Sequence, residues 1–338
     1  MSLRTPYLLF LGDGDRAKTA QGIAHWRPER CAGQIRLPGC TADLGLEELS
    51  LVEAARRGVR TLVIGVAPHG GQLPPTWVQV IVDALAAGLD VASGLHTRVS
   101  EHPQIREAAR ASGCNVFDVR HPTQNFAVAT GLPRSGHRLL TVGTDCEAGK
   151  MYASLALEAE MRRRGINVDF RATGQTGILI AGAGVAVDAV VSDFVAGATE
   201  WLAPANEPDH WDVIEGQGSL FHPAYAGVTL GLVHGSQAEA LVLCHDAARK
   251  HVIGYPTYPL PSLGECIEAY ERAARLTNPR ARCVGLSINT SKLDPAAAEA
   301  YLRAAETETG LPCVDPVRGS AARLVDALVQ PRQPTTTA

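Results

Sequence analysis

The chain alternates between short, wholly apolar runs and longer segments in which apolar residues recur every three or four positions. The runs at 7–11 and 61–66 predict strands that are buried on both faces. The periodic segments at 51–57 and 77–87 predict helices, each followed by a glycine of the kind that ends a helix. Strands separated by helices favour a parallel, doubly wound sheet in an α/β fold.

The alternation stops at a segment rich in proline, glycine, threonine and serine, residues 122–137, and then restarts. Beyond it, apolar runs predict strands at 138–142, 168–171, 213–215, 240–244 and 283–288, and the segments between them, including 187–198, predict helices. We therefore expect two doubly wound parallel-sheet domains, over residues 1–133 and 134–330. The remaining residues, 331–338, are rich in proline and threonine and predict a disordered tail.

The composition excludes several classes of protein. The chain is 46% hydrophobic and 20% charged, which is typical of globular proteins. Its net charge of -4 and aromatic content of 5% argue against a nucleic-acid partner. No apolar run approaches the ~20 residues of a membrane span. None of the eight cysteines forms a C-x-x-C pair, so we expect a cytoplasmic protein without a metal site.

The clearest chemical signal follows the strand at 138–142. It is the sequence Gly143-Thr144-Asp145-Cys146-Glu147-Ala148-Gly149-Lys150, which we call the phosphate loop. A strand, a glycine-rich turn and a lysine at a helix start direct backbone N–H groups, a helix dipole and a charge toward an anion. The chain has only four lysines, so a lysine at this position is a strong signal. We predict that the loop binds phosphate groups, together with the next two residues, Met151 and Tyr152, and that the second domain is P-loop NTPase-like.

The loop departs from the commonest phosphate-binding motif in two ways. Five residues separate its glycines instead of four, and Met151 replaces the usual hydroxyl after the lysine. The spacing resembles the G-T-D-x-x-x-G-K loop of the dethiobiotin-synthetase-like P-loop proteins. The missing hydroxyl normally binds Mg²⁺, and a thioether is a poor ligand for a hard cation. We therefore favour a diphosphate bound without metal, as in coenzyme A. An ATP- and Mg²⁺-dependent ligase or kinase, and a non-catalytic module that senses CoA or nucleotide, are the alternatives.

Three more polar loops follow predicted strands, and such loops meet at the carboxyl edge of a parallel sheet. The first contains Arg171, Gln175 and Thr176, and the third contains Asn289, a candidate contact for adenine or ribose. The second runs from Glu215 through Ser219 and His222 to Pro223. Each residue also has a structural alternative, such as an ion pair for Arg171 or a turn cap for Glu215.

The first domain has a glycine turn of its own, Gly12-Asp13-Gly14-Asp15, after the strand at 7–11. It is not a G-x-G-x-x-G sequence, so it does not predict a dinucleotide site. Lys18, Arg36 and His69 lie at predicted strand ends and are candidates to close over the phosphate loop.

Taken together, these stretches resemble the DgcN family of D-glutamate N-acetyltransferases, from Tyr7 to about Asp326. The most specific stretches are 140–146, 149–152, 170–177, 188–194 and 215–223. Glu147-Ala148 departs from the family pattern, in which a small residue and valine are expected. The resemblance implies a Rossmann-like first domain and acetyl transfer from acetyl-CoA to the amine of D-glutamate. It also implies that N-acetyl-D-glutamate passes to a racemase in a catabolic pathway. We also expect a homo-oligomer.

Acetyl transfer to an amine requires a base and a group that stabilises the tetrahedral oxyanion. His222 or Glu215 is the candidate base, and the backbone N–H groups of residues 216–219 are candidates for the oxyanion. Arg171 is the candidate for a two-bond contact to a substrate carboxylate. Gln175, Thr176 and Ser219 complete the expected substrate site.

Overall fold

The computed structural model describes residues 3–15, 17–66 and 72–329. The chain divides into two compact units. The first comprises Met1–Asn125 and Gly174–Ala189, and the second comprises Phe126–Thr173 and Val190–Ala338. His69 and the tail expected over 331–338 lie outside the described residues.

Residues 174–189 belong to the first unit, although we expected them in a domain spanning 134–330. The reason is a set of contacts between residues distant in sequence. Arg30 donates hydrogen bonds to the carbonyls of Ile180 and Ala181 at 3.1 and 2.7 Å. Arg120 pairs with Asp188 at 2.5 Å. The chain therefore crosses from one unit to the other three times, after residues 125, 173 and 189. The structure has these three boundaries instead of the single boundary expected at 133/134.

The strands, in chain order, are β1 (Tyr7–Phe10), β2 (Cys31–Ile35), β3 (Thr61–Ile64), β4 (Asp90–Ser93), β5 (Val116–Asp118), β6 (His137–Gly143), β7 (Val168–Arg171), β8 (Trp211–Ile214), β9 (Ala240–Asp246), β10 (His251–Val252), β11 (Tyr255–Pro259), β12 (Arg282–Asn289) and β13 (Cys313–Val314). The α-helices are α1 (Lys18–Trp26), α2 (Leu51–Arg56), α3 (Pro75–Ala86), α4 (Pro103–Ser112), α5 (Lys150–Arg163), α6 (Gln175–Ala181), α7 (Val195–Leu202), α8 (Ala226–Ser236), α9 (Leu263–Arg275), α10 (Pro295–Thr309) and α11 (Ala322–Val329).

Within the described part of the first unit, five strands form a parallel sheet in the order β2-β1-β3-β4-β5. Phe10 and Ile64 of the sheet share a buried core with Trp77 and Ile81 of α3. The rings of Phe10 and Trp77 meet edge to face at 5.2 Å. Strand β2 was not predicted, because it is only partly buried and no apolar run marks it.

In the second unit, six of the described strands form a parallel sheet in the order β13-β12-β9-β6-β8-β7. Successive residues of β6 enter opposite cores, since side chains alternate along a strand. Leu140 packs with residues of α8 and α9, and Leu139 packs with residues of α5 and α11. Helices thus cover both faces, and the predicted α/β class with two parallel sheets is confirmed. No helix among the described residues combines the length and apolar character that crossing a bilayer requires.

The predicted helices differ from the observed ones in two places. The helix expected over 187–198 begins only at Val195, and two short 3-10 turns precede it. Helix α8 was not predicted, because its sequence AGVTLGLVHGS carries three glycines, which have low helix propensity. Its burial in the core of the second unit overrides that propensity.

Candidate active site

The phosphate loop joins β6 to α5 in the second unit. The backbone enters the left-handed region at Glu147 (φ 51°) and Gly149 (φ 93°), and Gly149 immediately precedes α5. Glycine adopts this region without strain, which allows the turn to point its N–H groups inward. Thr144 N–H donates to the carbonyl of Cys244 at 3.0 Å, so the loop lies at the carboxyl end of β9 as well as β6.

Lys150 is folded back over this loop. Its side chain is buried, with a residue exposure of only 7%, and Nζ donates to the carbonyl of Asp145 at 2.9 Å. A Cβ at Gly143 would lie 2.9 Å from Nζ, so the missing side chain makes room for the ammonium group. Burial lowers the pKa of Lys150. The predicted cation is therefore inside the loop, where a phosphate would bring compensating charge.

Asp145 organises the loop from within. Its buried carboxylate accepts hydrogen bonds from Cys146 N at 2.7 Å, Ile253 N at 2.8 Å and Arg249 Nη1 at 2.9 Å. Arg249 also donates to the carbonyl of Cys146. Sequence reasoning missed Arg249, because a single arginine after β9 carries little signal in an arginine-rich chain. The loop thus has a second cation beside Lys150.

Buried side chains from other elements hold the loop from outside. His245 Nδ1 lies 2.9 Å from Thr144 Oγ1, and its Nε2 lies 2.8 Å from Tyr301 Oη. Burial lowers the pKa of His245, which favours the neutral ring. Tyr270 Oη donates to the carbonyl of Gly143 at 2.8 Å. These three residues have no sequence motif, and the sequence did not predict them.

Glu215 ties two strand-end loops together. It is buried, and its Oε2 accepts a hydrogen bond from Thr173 N at 2.9 Å. The next amide, Gly216 N–H, donates to Thr141 Oγ1 at 3.0 Å, so this amide does not serve an oxyanion as expected. Ser219 is also buried, and its hydroxyl accepts from Phe221 N at 3.2 Å, which shapes its own turn.

His222 lies against the phosphate loop. One of its ring nitrogens, Cys146 Sγ and a carboxylate oxygen of Asp145 all lie within 4.8 Å of one another. Its Nδ1 accepts from Ala224 N at 3.2 Å, and its ring stacks on Tyr225 at 4.6 Å. The three side chains are of types that bind metals. However, both oxygens of the Asp145 carboxylate accept hydrogen bonds, one of them from the positive Arg249, and this arrangement disfavours a divalent cation.

Arg171 forms an ion pair, which is the structural alternative that its sequence position left open. Its Nε donates to Asp212 Oδ1 at 2.6 Å, and its Nη2 lies 3.4 Å from Asp169 Oδ2. Asp212 is buried, with 1% of its side chain exposed. Asp169 and Arg171 are two residues apart on β7 and therefore point to the same face. Nε and Nη2 are engaged in this structural pair, and the contact with a substrate carboxylate stays a prediction.

The remaining predicted contacts are scattered. Gln175 and Thr176 begin α6 in the first unit, where Thr176 Oγ1 lies 3.4 Å from Thr19 Oγ1. Arg36, also in the first unit, pairs with Glu48 at 2.9 Å. Asn289 Oδ1 accepts from Ser291 N and so caps its own loop.

The other loop residues differ in exposure. Met151 and Tyr152 are half-buried in the first turn of α5, as is Cys146 in the loop. Glu147 is exposed, whereas Ala148 is buried.

A cavity of about 680 Å³ lies in the second unit, beside the end of β12, β13, α10 and α11. We call it the Arg318 cavity, and its lining includes Thr290, Leu302, Asp315, Arg318 and Arg323. Burial raises the pKa of Tyr152, and the charge of Asp315 adds to that rise, which places Tyr152 of α5 near this cavity. Its size is that of pockets that bind small molecules.

Comparison with known proteins supplies the family. A family model described as the Rossmann-like domain of DUF1611_N, a domain of unknown function, matches residues 35–122. The corresponding P-loop domain model, DUF1611_C, matches residues 127–325.

Two relatives and one solved structure match over nearly their whole length. A protein of Tritonibacter scottomollicae named D-glutamate N-acetyltransferase is 53% identical over 329 residues, covering 96% of this chain and 99% of that protein. A Pseudoalteromonas sp protein of the same name is 46% identical over 332 residues, covering 97% and 99%. The crystal structure of a DUF1611 family protein from Anabaena variabilis has a TM-score of 0.83 and 36% identity, covering 97% and 100%. The chain therefore belongs to the DUF1611 family, in which a Rossmann-like domain precedes a P-loop domain.

Proposed function

We propose that this protein is an N-acetyltransferase that moves an acetyl group from acetyl-CoA to the amine of D-glutamate. The acceptor follows from the two relatives of that name, at 53% and 46% identity over almost the full chain. Acetyl-CoA as the acyl donor is inferred from the phosphate loop, which is the main observation behind the proposal. The loop keeps its buried lysine but has Met151 where a metal-binding hydroxyl would stand. N-Acetyl transfer needs an acyl donor, and acetyl-CoA carries a diphosphate that such a loop can bind without metal.

In this proposal, the diphosphate lies over the loop amides and Lys150, with Arg249 as a second source of positive charge. His222 and Glu215 are the proposed bases that take the proton of the attacking amine. His222 is favoured because its ring lies against the loop. Both candidates already have partners, Thr173 N for the Glu215 carboxylate and Ala224 N and the Ile253 carbonyl for the His222 ring. The thioester lies one pantetheine arm away from the diphosphate. The arm must therefore fold back toward the loop for either residue to act.

Steady-state kinetics of His222→Gln and Glu215→Gln distinguish a catalytic base from a residue that only contacts the diphosphate. Loss of the base lowers kcat, by roughly 10²–10⁴-fold. Loss of a group that contacts only the diphosphate raises KM for acetyl-CoA and leaves kcat almost unchanged. We expect the first pattern for His222→Gln. The second pattern for both variants would assign the base to another residue.

The donor is tested by thermal unfolding with acetyl-CoA, CoA, ATP and ATP with Mg²⁺. A ligand at ~100 times its Kd adds about 2.7 kcal/mol to stability. We expect acetyl-CoA and CoA to stabilise the protein and Mg²⁺ to add nothing. Strong stabilisation by ATP with Mg²⁺ and none by CoA would instead support a ligase or kinase of the dethiobiotin synthetase type.

The acceptor is tested by incubating the enzyme with acetyl-CoA and either D- or L-glutamate. Mass spectrometry after chiral separation should detect N-acetyl-D-glutamate as the main product, which we propose is then passed to a racemase. Binding of CoA without acetylation of any amine would support a CoA-sensing module.

A further inference from the structure

The Arg318 cavity contains an exposed arginine whose guanidinium bonds to backbone carbonyls of the described residues. Arg318 Nη2 donates to the carbonyls of Thr290 at 3.2 Å and Leu293 at 2.5 Å. Neither partner is a carboxylate, and no ion pair of Arg318 is found among residues 3–15, 17–66 and 72–329. Its side-chain bonds to the described residues come from Nη2, while its backbone N–H donates to Asp315 Oδ1 at 3.3 Å. Nη1 and Nε are left as donors for a ligand.

The other charged groups of the cavity already have partners. Asp315 accepts from Thr290 N and Oγ1 at 2.9 and 2.5 Å, and from Val317 N at 2.9 Å. Arg323 pairs with Glu306 at 2.5 Å. Glu299, which also lines the cavity, pairs with Arg303. Arg318 and Asp315 are therefore the charged groups of the cavity without an ion pair among the described residues. Asp315 is buried and bonded by neutral donors, whereas Arg318 is exposed, and a guanidinium held by two carbonyls is suited to a phosphate.

The cavity lies beside the end of β12, in the same parallel sheet as β6, which leads into the phosphate loop. Strand β6 pairs with β9, and β9 pairs with β12, whose end leads into Thr290. Two strand spacings separate β6 from β12 by about 10 Å. Tyr152, which the charge of Asp315 affects, is only two residues after Lys150 along α5. A nucleoside can span this gap, with its diphosphate on the loop and its base in the cavity.

The walls suit a base and a ribose. Leu302, Pro295 and Ala298 supply apolar surface from α10, while Thr290 and Asp315 supply polar groups. Such a mixture of apolar walls and a few polar groups is typical of small-molecule sites. A nucleoside without further charge would leave Arg318 without an anion.

Resting on the proposed use of acetyl-CoA, we propose that the Arg318 cavity binds the adenosine of the donor and that Arg318 binds its ribose 3′-phosphate. This contact would distinguish coenzyme A from ATP, since ATP has no phosphate at that position. The arginine would then be the residue that sets donor specificity, whereas the phosphate loop binds the diphosphate that both ligands share.

The test compares CoA with 3′-dephospho-CoA, which lacks only the phosphate in question. Calorimetry on the full chain should show that CoA binds roughly 10- to 100-fold more tightly, as expected for charge-assisted hydrogen bonds. Arg318→Ala should bring that ratio close to one, and Arg318→Lys should recover part of it. Arg323→Ala should reduce the ratio less, because Glu306 already neutralises that arginine.

Arg272→Ala is the matched control. This arginine is exposed on α9, pairs with Glu268, and does not line the cavity. The ratio of the two affinities is also insensitive to misfolding. A damaged loop at 290–293 would weaken binding of both CoA and 3′-dephospho-CoA and leave their ratio unchanged. ATP, titrated in parallel, should bind Arg318→Ala as well as it binds the unmodified protein.

The outcomes separate this inference from the proposed function. Acetylation of D-glutamate with equal affinities for CoA and 3′-dephospho-CoA overturns the role of Arg318 and leaves the acetyltransferase standing. A large ratio that survives in Arg318→Ala also overturns it. Failure to bind any CoA species, with no acetyl transfer, overturns both. A large ratio that Arg318→Ala abolishes supports the inference.

Discussion

Each unit carries a glycine-containing loop between an inner strand of its parallel sheet and a helix that begins with lysine. In the first unit the loop is Gly12-Asp13-Gly14-Asp15, and α1 begins at Lys18. In the second it is the phosphate loop, and α5 begins at Lys150. The lysines differ, since Lys18 is exposed and Lys150 is buried over its own loop. The first loop also exposes two acidic residues, which repel a phosphate.

The difference shows that a strand, a turn and a helix do not by themselves make an anion site. The residue before α1 is Ala17, with φ -132°, whereas Gly149 before α5 has φ 93°. Gly12 of the first loop is also left-handed, with φ 70°, so the two loops differ in whether the residue directly before the helix takes that conformation. Asp13 bonds to Trp77 at 3.4 Å, while Asp145 bonds to Arg249 and to the amides of its own surroundings. Four substitutions, given from the largest expected effect to the smallest, test this comparison of the two loops.

The largest effect is expected from Gly216→Ala, beside the phosphate loop. A Cβ there would lie 1.8 Å from the carbonyl oxygen of Thr141, which is backbone and cannot move aside. We expect a loss of about 3 kcal/mol in the free energy of unfolding, measured with urea. The control is Gly14→Ala in the first loop, where nothing lies within 4 Å of the added Cβ. The control should stay within about 0.5 kcal/mol. Equal effects of the two substitutions would contradict the contrast between the loops.

Arg171→Ala should come next. It removes the partner of the buried Asp212, and the pair is partly solvated on the arginine side, so we expect a loss of about 2 kcal/mol in stability. If the ion pair with Asp212 is the whole role of the arginine, KM for D-glutamate should not change. Urea unfolding and steady-state kinetics together check this. A raised KM in a protein of unchanged stability would support the carboxylate role predicted from the sequence.

Lys150→Ala should raise KM for acetyl-CoA about tenfold, which corresponds to about 1.4 kcal/mol, with a smaller fall in kcat. The reason is that a contact with the diphosphate contributes about equally to the ground state and the transition state. Lys18→Ala, its counterpart at the start of α1, should leave both constants unchanged. A loss confined to kcat would place Lys150 at the chemical step.

The smallest effect concerns pH. Burial lowers the pKa of His245 from its ordinary value of 6.5. Between that lower folded pKa and 6.5, the unfolded chain binds more protons than the folded one, so stability falls as the pH drops through this window. His245→Gln should flatten that dependence in urea unfolding. Because His245 bonds to Thr144, affinity for acetyl-CoA should weaken over the same range. An unchanged slope in His245→Gln would show that other groups cause it.

Sequence reasoning was sufficient for patterns that are local. Strand β6, the phosphate loop and the start of α5 are contiguous, so 138–150 could be recognised from spacing alone. The ion pair of Arg171 is also partly local, because strand alternation directs the side chain to the face of Asp169. Gln175 and Thr176 were misplaced for a non-local reason, since the contacts of Arg30 that hold α6 in the first unit span some 150 residues.

The sequence by itself determined the α/β class, the family resemblance and the phosphate loop, because each depends on residue order within a short window. Only the tertiary structure decided what surrounds that loop. Arg249, His245 and Tyr270 reach it from elements more than 100 residues away along the chain. Arg318 is notable only because the described residues give its guanidinium carbonyls and no carboxylate. Charge compensation is a property of neighbours in space, and burial brings those neighbours together without any spacing rule along the chain.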